Sequence, residues 1–164
     1  MKNNFYENRK RCFARGEKAE QVIYKYLTEE KGFNVTDVTL NKKYQNIDTD
    51  FLLDFKNREF KIEVKTDFHI SKYNSFLLEF DTYKDDKVYK GWMNKSQSDY
   101  LIWYSFELEK VFVLDFCKLR EWSDKHELKR KYNKFEKCNF DCQIISIDEC
   151  RKCNILREEI KYIA

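Results

Sequence analysis

The first regular pattern along the chain is an apolar stripe at the spacing of an α-helix. Its members recur every three or four positions: Ala19, Val22, Ile23, Tyr26 and Leu27. Gly32 follows where a helix commonly ends, because glycine adopts the left-handed backbone conformation without strain. Glu20 lies on the border of the stripe rather than on the solvent face. The pattern therefore predicts a helix that presents one carboxylate at the edge of its buried side.

Six shorter segments alternate apolar and polar residues, or form short apolar runs, as β-strands do. They are Ile47–Phe55, Phe60–Thr66, Ser75–Phe80, Tyr100–Phe106, Val111–Asp115 and Gln143–Ile147. We expect the third strand to neighbour the second, which could bring Glu79 near it, although the pattern favours Glu79 as a surface strand residue. Before the last strand, Leu119–Lys137 is typical of a charged helix, and a short helix after Asp148 is expected to close the chain.

This order of elements predicts the fold class. One helix, a run of strands and then helices favour an α/β domain with a mixed central sheet flanked by helices. The 164 residues suit a single domain, with a core at about residues 16–115 and a basic helical and C-terminal extension at about 116–164. Hydrophobic residues make up 42% of the chain, which is enough to form a core and argues against disorder.

The first two strands are predicted to form a hairpin across the four residues KNRE. Asn57 and Arg58 are the expected central turn residues, because asparagine tolerates positive φ. That register places Asp50 opposite Lys65, with Glu63 beside Lys65 on the same strand face. Opposed side chains have Cβ atoms about 4.5–5.5 Å apart. The two carboxylates and the ammonium group are therefore expected to converge on one small patch.

Two carboxylates held this close repel each other, and a bound divalent cation removes that repulsion. Carboxylate oxygens are the ligands that Mg²⁺ prefers, and Mg²⁺ usually keeps several water molecules. A cation makes its water easier to deprotonate, and a nearby lysine can stabilise the charge that develops during attack. The patch therefore has the outline of a phosphodiester hydrolysis site. Asp48 lies on the same face, opposite Asp67, so the choice between Asp48 and Asp50 as metal ligand remains open.

This arrangement resembles the PD-(D/E)xK nuclease superfamily, which has the restriction-endonuclease-like fold. Asp50 is followed after twelve residues by Glu63-Val64-Lys65 at the end of an apolar strand. The preceding helix, GEKAEQVIYKYL, resembles the helix that carries the family's additional acidic residue, and Glu20 matches that residue. The later segment GWMNKSQSDYLIWYS resembles the helix and strand that follow the catalytic hairpin in phage-type and Holliday-junction-resolvase-like members.

The resemblance implies a magnesium-dependent deoxyribonuclease and assigns roles to these residues. The implied catalytic residues are Asp50, Glu63, Lys65 and Glu20. Mg²⁺ or Mn²⁺ would be held by Asp50, Glu63, the Val64 carbonyl and Glu20, the last as a ligand or as a group that orients a water. Lys65 would assist the attacking water, and the products would carry 5′-phosphate and 3′-hydroxyl ends. Thr49 stands in place of the proline that names the motif, which many members also lack.

Residues outside the hairpin are candidates for contacts with the DNA backbone, which dominate nucleic-acid affinity without reading sequence. They are Lys95, Gln97, Arg15, Lys129 and Arg130. The first two precede the YLIWYS strand, the third belongs to a basic amino-terminal segment, and the last two belong to a basic run that includes Lys134 and Lys137. The formal net charge is only +3, so a polyanion would have to meet clustered charge.

The cysteines and histidines give weaker signals. A structural zinc site could use Cys138, Cys142, Cys150 and Cys153. Only seven residues separate the two pairs, which is short for a zinc ribbon, so we expect these side chains to pack as small hydrophobic groups. His69 and His126 have no carboxylate or nucleophile at a suggestive spacing, which argues against histidine-based catalysis.

Targeting signals are not evident in the sequence. The amino terminus, MKNNFYENRKR, has no apolar stretch of the kind that a signal peptide contains. No run approaches the ~20 apolar residues that a membrane span needs. The sequence therefore predicts a cytoplasmic protein without a membrane partner, whose cysteines are reduced.

DNA is the expected partner, and the predicted function is metal-dependent endonucleolytic cleavage by a structure-directed, phage or mobile-element nuclease. A homodimer would suit such an enzyme, because symmetric cuts need two sites. Two alternatives remain open. A sequence-specific restriction endonuclease would add major-groove contacts to the same chemistry, and a nucleic-acid-binding or inhibitor protein would keep the scaffold without catalysis. Intact Asp50, Glu63 and Lys65 favour the enzyme.

Overall fold

The computed structural model describes residues 3–66, 68–133 and 138–163. Its helices are α1 (Asn3–Lys25), α2 (Lys42–Gln45), α3 (His69–Tyr73), α4 (Trp92–Lys95), α5 (Phe116–Ser123) and α6 (Ile147–Lys152). Its strands are β1 (Asn34–Asp37), β2 (Phe51–Phe55), β3 (Arg58–Lys65), β4 (Ser75–Lys84), β5 (Lys87–Lys90), β6 (Tyr100–Ser105), β7 (Lys110–Asp115), β8 (Lys129–Asn133), β9 (Cys138–Ser146) and β10 (Leu156–Lys161). Two expectations involve residues outside this description: the position of Asp67 opposite Asp48, and the cationic Lys134 and Lys137.

The predicted amino-terminal helix is present and is longer than its apolar stripe. α1 continues beyond Lys25 into one π-helical turn, Tyr26–Glu30. All five residues of the stripe are buried, because they pack on one face of a six-stranded sheet. Gly32, with a φ of 66°, follows the end of the helix as expected. The confirmed helix fixes Glu20 at the edge of this packed face.

The six-stranded main sheet has the order β1-β2-β3-β6-β7-β10. Among its described pairs only β3 and β6 are parallel, so the sheet is mixed, as predicted. α1 packs on one face, and the other face packs against a second, antiparallel sheet with the order β5-β4-β9-β8. Phe76 of β4 contacts Trp103 and Phe112 of the main sheet, with ring centroids 5.1 and 5.6 Å apart. The mixed α/β architecture is confirmed, and the second sheet is an addition to it.

The expected neighbour of β3 is wrong. β3 pairs in parallel with β6, whereas β4 belongs to the second sheet. Parallel neighbours need a crossover connection of a dozen or more residues, and the segment from α3 to α4 supplies it. Glu79 consequently pairs with Cys142 of β9 and does not neighbour the β2–β3 hairpin.

The charged segment after β7 is only partly helical, which corrects the prediction of one helix over Leu119–Lys137. α5 ends at Ser123, and Lys129–Asn133 forms the edge strand β8. Pairing with β9 overrides the helical pattern: the Arg130 guanidinium donates two hydrogen bonds, of 2.8 and 3.0 Å, to Asp141 across the strands. The final short helix, α6, is present, but the chain continues into β10, which adds an edge strand to the main sheet.

Gly91 lets the chain leave β5 and begin α4 against the backbone of β4. A Cβ atom added there would lie 2.7 Å from the Glu79 carbonyl oxygen and 2.8 Å from the Phe80 carbonyl carbon. Backbone atoms of a paired strand cannot move aside, so we expect Gly91→Ala to lower the free energy of unfolding by about 2–3 kcal/mol.

Gly16→Ala is the matched control for this clash. An added Cβ at Gly16 meets nothing within 4 Å, and alanine in a helix interior is more stable than glycine by roughly 0.5–1 kcal/mol. Urea denaturation of both variants measures the two free energies of unfolding. An unchanged midpoint for Gly91→Ala would contradict the expected clash.

Candidate active site

The hairpin between β2 and β3 turns at Lys56 and Asn57, one residue earlier than predicted. Both residues have positive φ, 50° and 61°, as a two-residue type I′ turn requires. Phe55 pairs with Arg58, so the predicted central pair of Asn57 and Arg58 is wrong. The earlier turn moves the partner of every β2 residue by two positions along β3.

The shift changes the partner of Asp50 but not its face. The strand pairing begins with Phe51 opposite Ile62, so Asp50 lies just before it and is not opposite Lys65. The Asp50 backbone N–H donates to the Ile62 carbonyl oxygen over 2.8 Å. A one-residue slip would turn every side chain to the other face of the sheet, whereas a two-residue shift preserves the face. The three charged side chains therefore still share one face.

Glu63 is deeply buried, with 2% of its surface exposed. Its Oε1 atom forms an ion pair with Lys65 Nζ, whereas its buried Oε2 atom has no hydrogen-bond partner within the described residues. Asp50 is held beside it, because Asp50 Oδ2 accepts a hydrogen bond from the Val64 backbone N–H over 2.7 Å. The structure thus brings together the three side chains that the sequence analysis expected to converge.

Burial and crowding raise the proton affinity of the acidic groups at this site. Burial raises the pKa of Glu63 to about 8, in spite of the nearby Lys65 ammonium. Burial and then the charge of Asp50 raise the pKa of Glu20 to about 7. Burial also raises the pKa of Asp50, although the Val64 N–H opposes the shift. Each carboxyl group would be stabilised in its ionised form by added positive charge.

Asp37 is a further acidic residue of the site that the sequence analysis did not select. It ends β1 and pairs with Phe51 at the start of β2. Its charge contributes to the raised pKa of both Glu20 and Asp50. The alternating segment NVTDV was the signal that could have revealed this short strand and its terminal carboxylate.

Asp48 lies in the turn before β2, which begins at Phe51 and not at Ile47 as predicted. It has a positive φ of 44°, and its carboxylate forms an ion pair with Lys95. Asp48 is thus paired with a lysine side chain, whereas Asp50 accepts its hydrogen bond from the backbone of the hairpin.

The segment after α4 braces this turn. The Ser96 hydroxyl donates to the Asp48 carbonyl oxygen over 3.1 Å, and the Gln97 backbone N–H donates to the Ile47 carbonyl oxygen over 2.9 Å. Lys95 and Gln97 therefore lie beside the turn that leads into Asp50, where contacts with a phosphate were expected. Lys95 is engaged by Asp48, with 37% of its side chain exposed.

Aromatic side chains border Lys65. Its Nζ atom lies 5.8 Å from the ring centroid of Trp92 in α4, within the range of a cation–π interaction. Trp92 in turn packs edge-to-face against Trp103 of β6, with centroids 5.9 Å apart. The buried indole nitrogen of Trp103 has no hydrogen-bond partner in the described part of the chain. The Trp92 ring therefore confines the ammonium group next to Glu63.

The other residues expected to contact phosphates lie in two different places. Arg15 of α1 donates to Glu107 over 2.7 Å, and its guanidinium lies 3.9 Å from the ring of Phe68, just beyond β3. Lys129 and Arg130 lie on β8, at the edge of the second sheet. The structure thus brings Arg15 towards the hairpin and leaves the β8 pair on the edge of the other sheet.

Within residues 3–66, 68–133 and 138–163, no three His, Cys, Asp or Glu side chains are arranged to hold a metal ion by themselves. A cation at the hairpin would therefore need ligands besides side chains of this set, such as a backbone carbonyl and water. The suggested zinc ligands are divided between elements: Cys138 and Cys142 lie on β9, Cys150 lies on α6 and Cys153 follows it. No helix in the described ranges is long and apolar enough to cross a membrane.

The solved structures to which this chain is distantly similar in shape include two nucleases. The bacterial homing endonuclease I-Ssp6803I is 20% identical with a TM-score of 0.45, and the match covers 62% of this chain and 66% of that chain. D212, a nuclease from a fusselovirus, is 12% identical with a TM-score of 0.33, and the match covers 81% of this chain and 83% of that chain. The sequence matches no family model and no curated protein. Likenesses this distant carry no functional argument, so a function has to be argued from the site itself.

Proposed function

We propose that this chain is a Mg²⁺-dependent endonuclease that hydrolyses phosphodiester bonds in DNA, as a structure-directed nuclease or as a nuclease of a phage or mobile element. The observation that supports this most strongly is the group of Asp50, Glu63 and Lys65 on one face of a hairpin, in the spacing typical of PD-(D/E)xK nucleases. A solvated hairpin with ordinary salt bridges would not bury a glutamate with an unpartnered oxygen, because such burial is costly.

The donor set suits a divalent cation of the Mg²⁺ type. Asp50 and Glu63 supply carboxylate oxygens, which Mg²⁺ prefers, and Glu63 Oε2 is buried without a partner among the described residues. Burial raises the pKa of each group in spite of the nearby Lys65 ammonium, so further positive charge would stabilise the ionised forms. Asp50 and Glu63 would hold the cation with the Val64 carbonyl, and Glu20 would orient a water molecule bound to it.

The chemistry divides between the cation and the side chains around it. A bound Mg²⁺ would lower the pKa of the attacking water and neutralise charge on the phosphate. Burial lowers the pKa of Lys65, but the charges of Glu63 and Asp50 outweigh burial and raise that pKa above its ordinary value. The Lys65 ammonium can donate a hydrogen bond to the phosphate oxygen that gains charge. Water bonds to phosphorus as the bond to the 3′ oxygen breaks, which leaves 5′-phosphate and 3′-hydroxyl ends.

Lys65→Ala is expected to lower the cleavage rate by at least about 100-fold, because it removes the cation that stabilises the developing charge. Lys61→Ala is the matched control, since Lys61 lies on the same strand and face but four residues before Lys65. Both variants and the wild type are incubated with labelled linear, flapped and four-way-junction DNA, in Mg²⁺ and in EDTA. Denaturing gels quantify the products.

Magnesium-dependent cutting by the wild type and Lys61→Ala, with loss in Lys65→Ala, is the expected result. Cutting that persists in EDTA or in Lys65→Ala would reject the mechanism. Binding without cutting under every condition would favour a non-catalytic protein on the same scaffold. Cutting confined to one linear sequence would favour a sequence-specific restriction endonuclease.

A further inference from the structure

The middle of α1 carries one of the clusters of positive charge in this chain. From Lys10 to Lys18 there are four cationic side chains and one carboxylate, that of Glu17. These nine residues alone carry a net charge of +3, which equals the formal net charge of the whole chain. Residues 10–18, named the basic arm here, are therefore a strongly cationic segment, and a second one, Lys129–Lys131, lies on β8 at the edge of the second sheet.

The basic arm is exposed along most of its length. Residues 10–14 are all exposed, whereas the buried stripe of α1 begins only at Ala19. Lys10, Arg11 and Lys18 form no ion pair with any residue that the structure describes. Arg11 and Lys18 are seven positions apart and lie on one helix face, with Arg15 between them. The arm thus offers cations that have no acidic partner among the described side chains.

Arg15 fixes the basic arm next to the candidate active site. Its guanidinium donates to Glu107 over 2.7 Å and lies 3.9 Å from the Phe68 ring centroid. Phe68 follows Lys65 by three residues, and three residues of extended chain span about 10 Å at most. Glu20 follows Arg15 by five residues, or about 7.5 Å along the helix axis. The arm therefore begins at the edge of the site and leads away from it.

We propose that the basic arm binds the phosphate backbone of duplex DNA where the duplex approaches the candidate active site, an inference that rests on the proposed function. Duplex DNA carries about one negative charge per 1.7 Å of its axis, a density that suits a row of unpaired cations. The arm is about 12 Å long, which corresponds to three or four base pairs at about 3.4 Å each. Such contacts position a duplex without reading its sequence.

The test compares two triple variants that lose the same charge in different places. The arm variant is Lys10→Gln, Arg11→Gln and Lys18→Gln, and glutamine keeps the helix propensity of the residues that it replaces. The control is Lys87→Gln, Lys90→Gln and Lys152→Gln, all exposed positions on β5 and α6. Fluorescence anisotropy measures binding to a labelled duplex in EDTA over a range of salt concentrations, and circular dichroism checks that both variants are folded. Cleavage in Mg²⁺ is measured separately.

The arm variant is expected to bind the duplex at least tenfold more weakly than the wild type. The slope of the logarithm of its binding constant against the logarithm of the salt concentration should be less steep by about 2–3, since each phosphate contact contributes about 0.9 to that slope. The control should keep affinity and slope within twofold. If the wild type cuts DNA and the arm variant binds like the control, the proposed role of the basic arm is wrong and the proposed nuclease function is retained. If binding depends on the arm but no DNA is cut in Mg²⁺, the proposed role of the basic arm is supported and the proposed nuclease function is rejected. Tighter arm-dependent binding to a single strand, to RNA or to an acidic protein would overturn the assignment of duplex DNA.

Discussion

Glu63→Gln is expected to abolish DNA cleavage and, at pH 9 without metal, to make the protein more stable. Glutamine has the shape of glutamate but offers no anionic oxygen to a cation. We expect the cleavage rate to fall by about 1000-fold, the scale of loss when one charge-stabilising group is removed from an active site. Stability should rise because ionised Glu63 is buried with one oxygen unpartnered among the described residues, and a neutral amide avoids much of that cost.

Single-turnover cleavage in Mg²⁺ and thermal unfolding in EDTA measure the two effects. Glu59→Gln is the matched control, because Glu59 lies on the same strand and face as Glu63 but is exposed. Cleavage by Glu63→Gln at the wild-type rate would exclude Glu63 as a metal ligand. Should Glu63→Gln fail to fold, Asp50→Asn tests the same pair at a less buried position, and cleavage by that variant would contradict the site.

The convergence of Asp50 and Glu63 could be predicted from the sequence, because it depends on strand periodicity. Side chains two residues apart share a strand face. A hairpin register that is shifted by two residues therefore leaves every side chain on the same face of the sheet. The prediction therefore holds although the turn is wrong. The amino-terminal helix was predictable for a similar reason, since its five apolar residues define a buried face without knowledge of their partners.

The turn could not be placed from local preferences alone. Asn57 has the positive φ that was expected for it, but the second positive φ, 50°, falls on Lys56, where a Cβ atom carries a steric cost. Pairing in the core decides the register instead, since Phe51 and Ile62 are both buried and lie opposite each other.

The surroundings of the charged group depend on residues that are distant in sequence. β6 is the neighbour of β3 across a long crossover, and α4 brings Trp92 over Lys65. The strands β8 and β10 have mixed polar composition, so tertiary pairing rather than β propensity determines them. Local patterns could identify the acidic residues and the lysine, but not the burial that sets their proton affinity.

The metal-free protein is expected to lose stability as the pH rises from about 5 to 9. Burial raises the pKa of Glu63 to about 8 from its ordinary value of 4.5, so the folded state binds this proton more tightly than the unfolded chain does. The protonated group contributes fully below the unfolded pKa, and its contribution is lost as the pH rises through the folded pKa. Glu20, whose pKa burial raises to about 7, adds a smaller loss because it is partly exposed.

Ionisation of Glu63 should lower the free energy of unfolding by on the order of 3 kcal/mol, which corresponds to roughly 6–12 °C in melting temperature. Thermal unfolding in EDTA across this pH range measures it, and Glu63→Gln should flatten the profile. Asp141, whose pKa the Arg130 guanidinium holds below its usual value, titrates below this window. Lys65, whose pKa the neighbouring carboxylates raise against burial, titrates above it. A melting temperature that rises between pH 5 and 9 would contradict the expected burial of an ionised Glu63.

Mg²⁺ is expected to reverse this loss, and to do so more strongly at pH 8.5 than at pH 6. The cation binds the deprotonated carboxylates, so protons compete with it at the lower pH. At a concentration of about 100 times its dissociation constant, Mg²⁺ should add about 2.7 kcal/mol of stability, and Glu63→Gln should show little of this shift. An equal shift at both pH values, or in both proteins, would place the binding elsewhere on the surface. Because proton and cation compete for the same oxygen atoms, this competition tests the metal site without any assumption about which DNA the chain cuts.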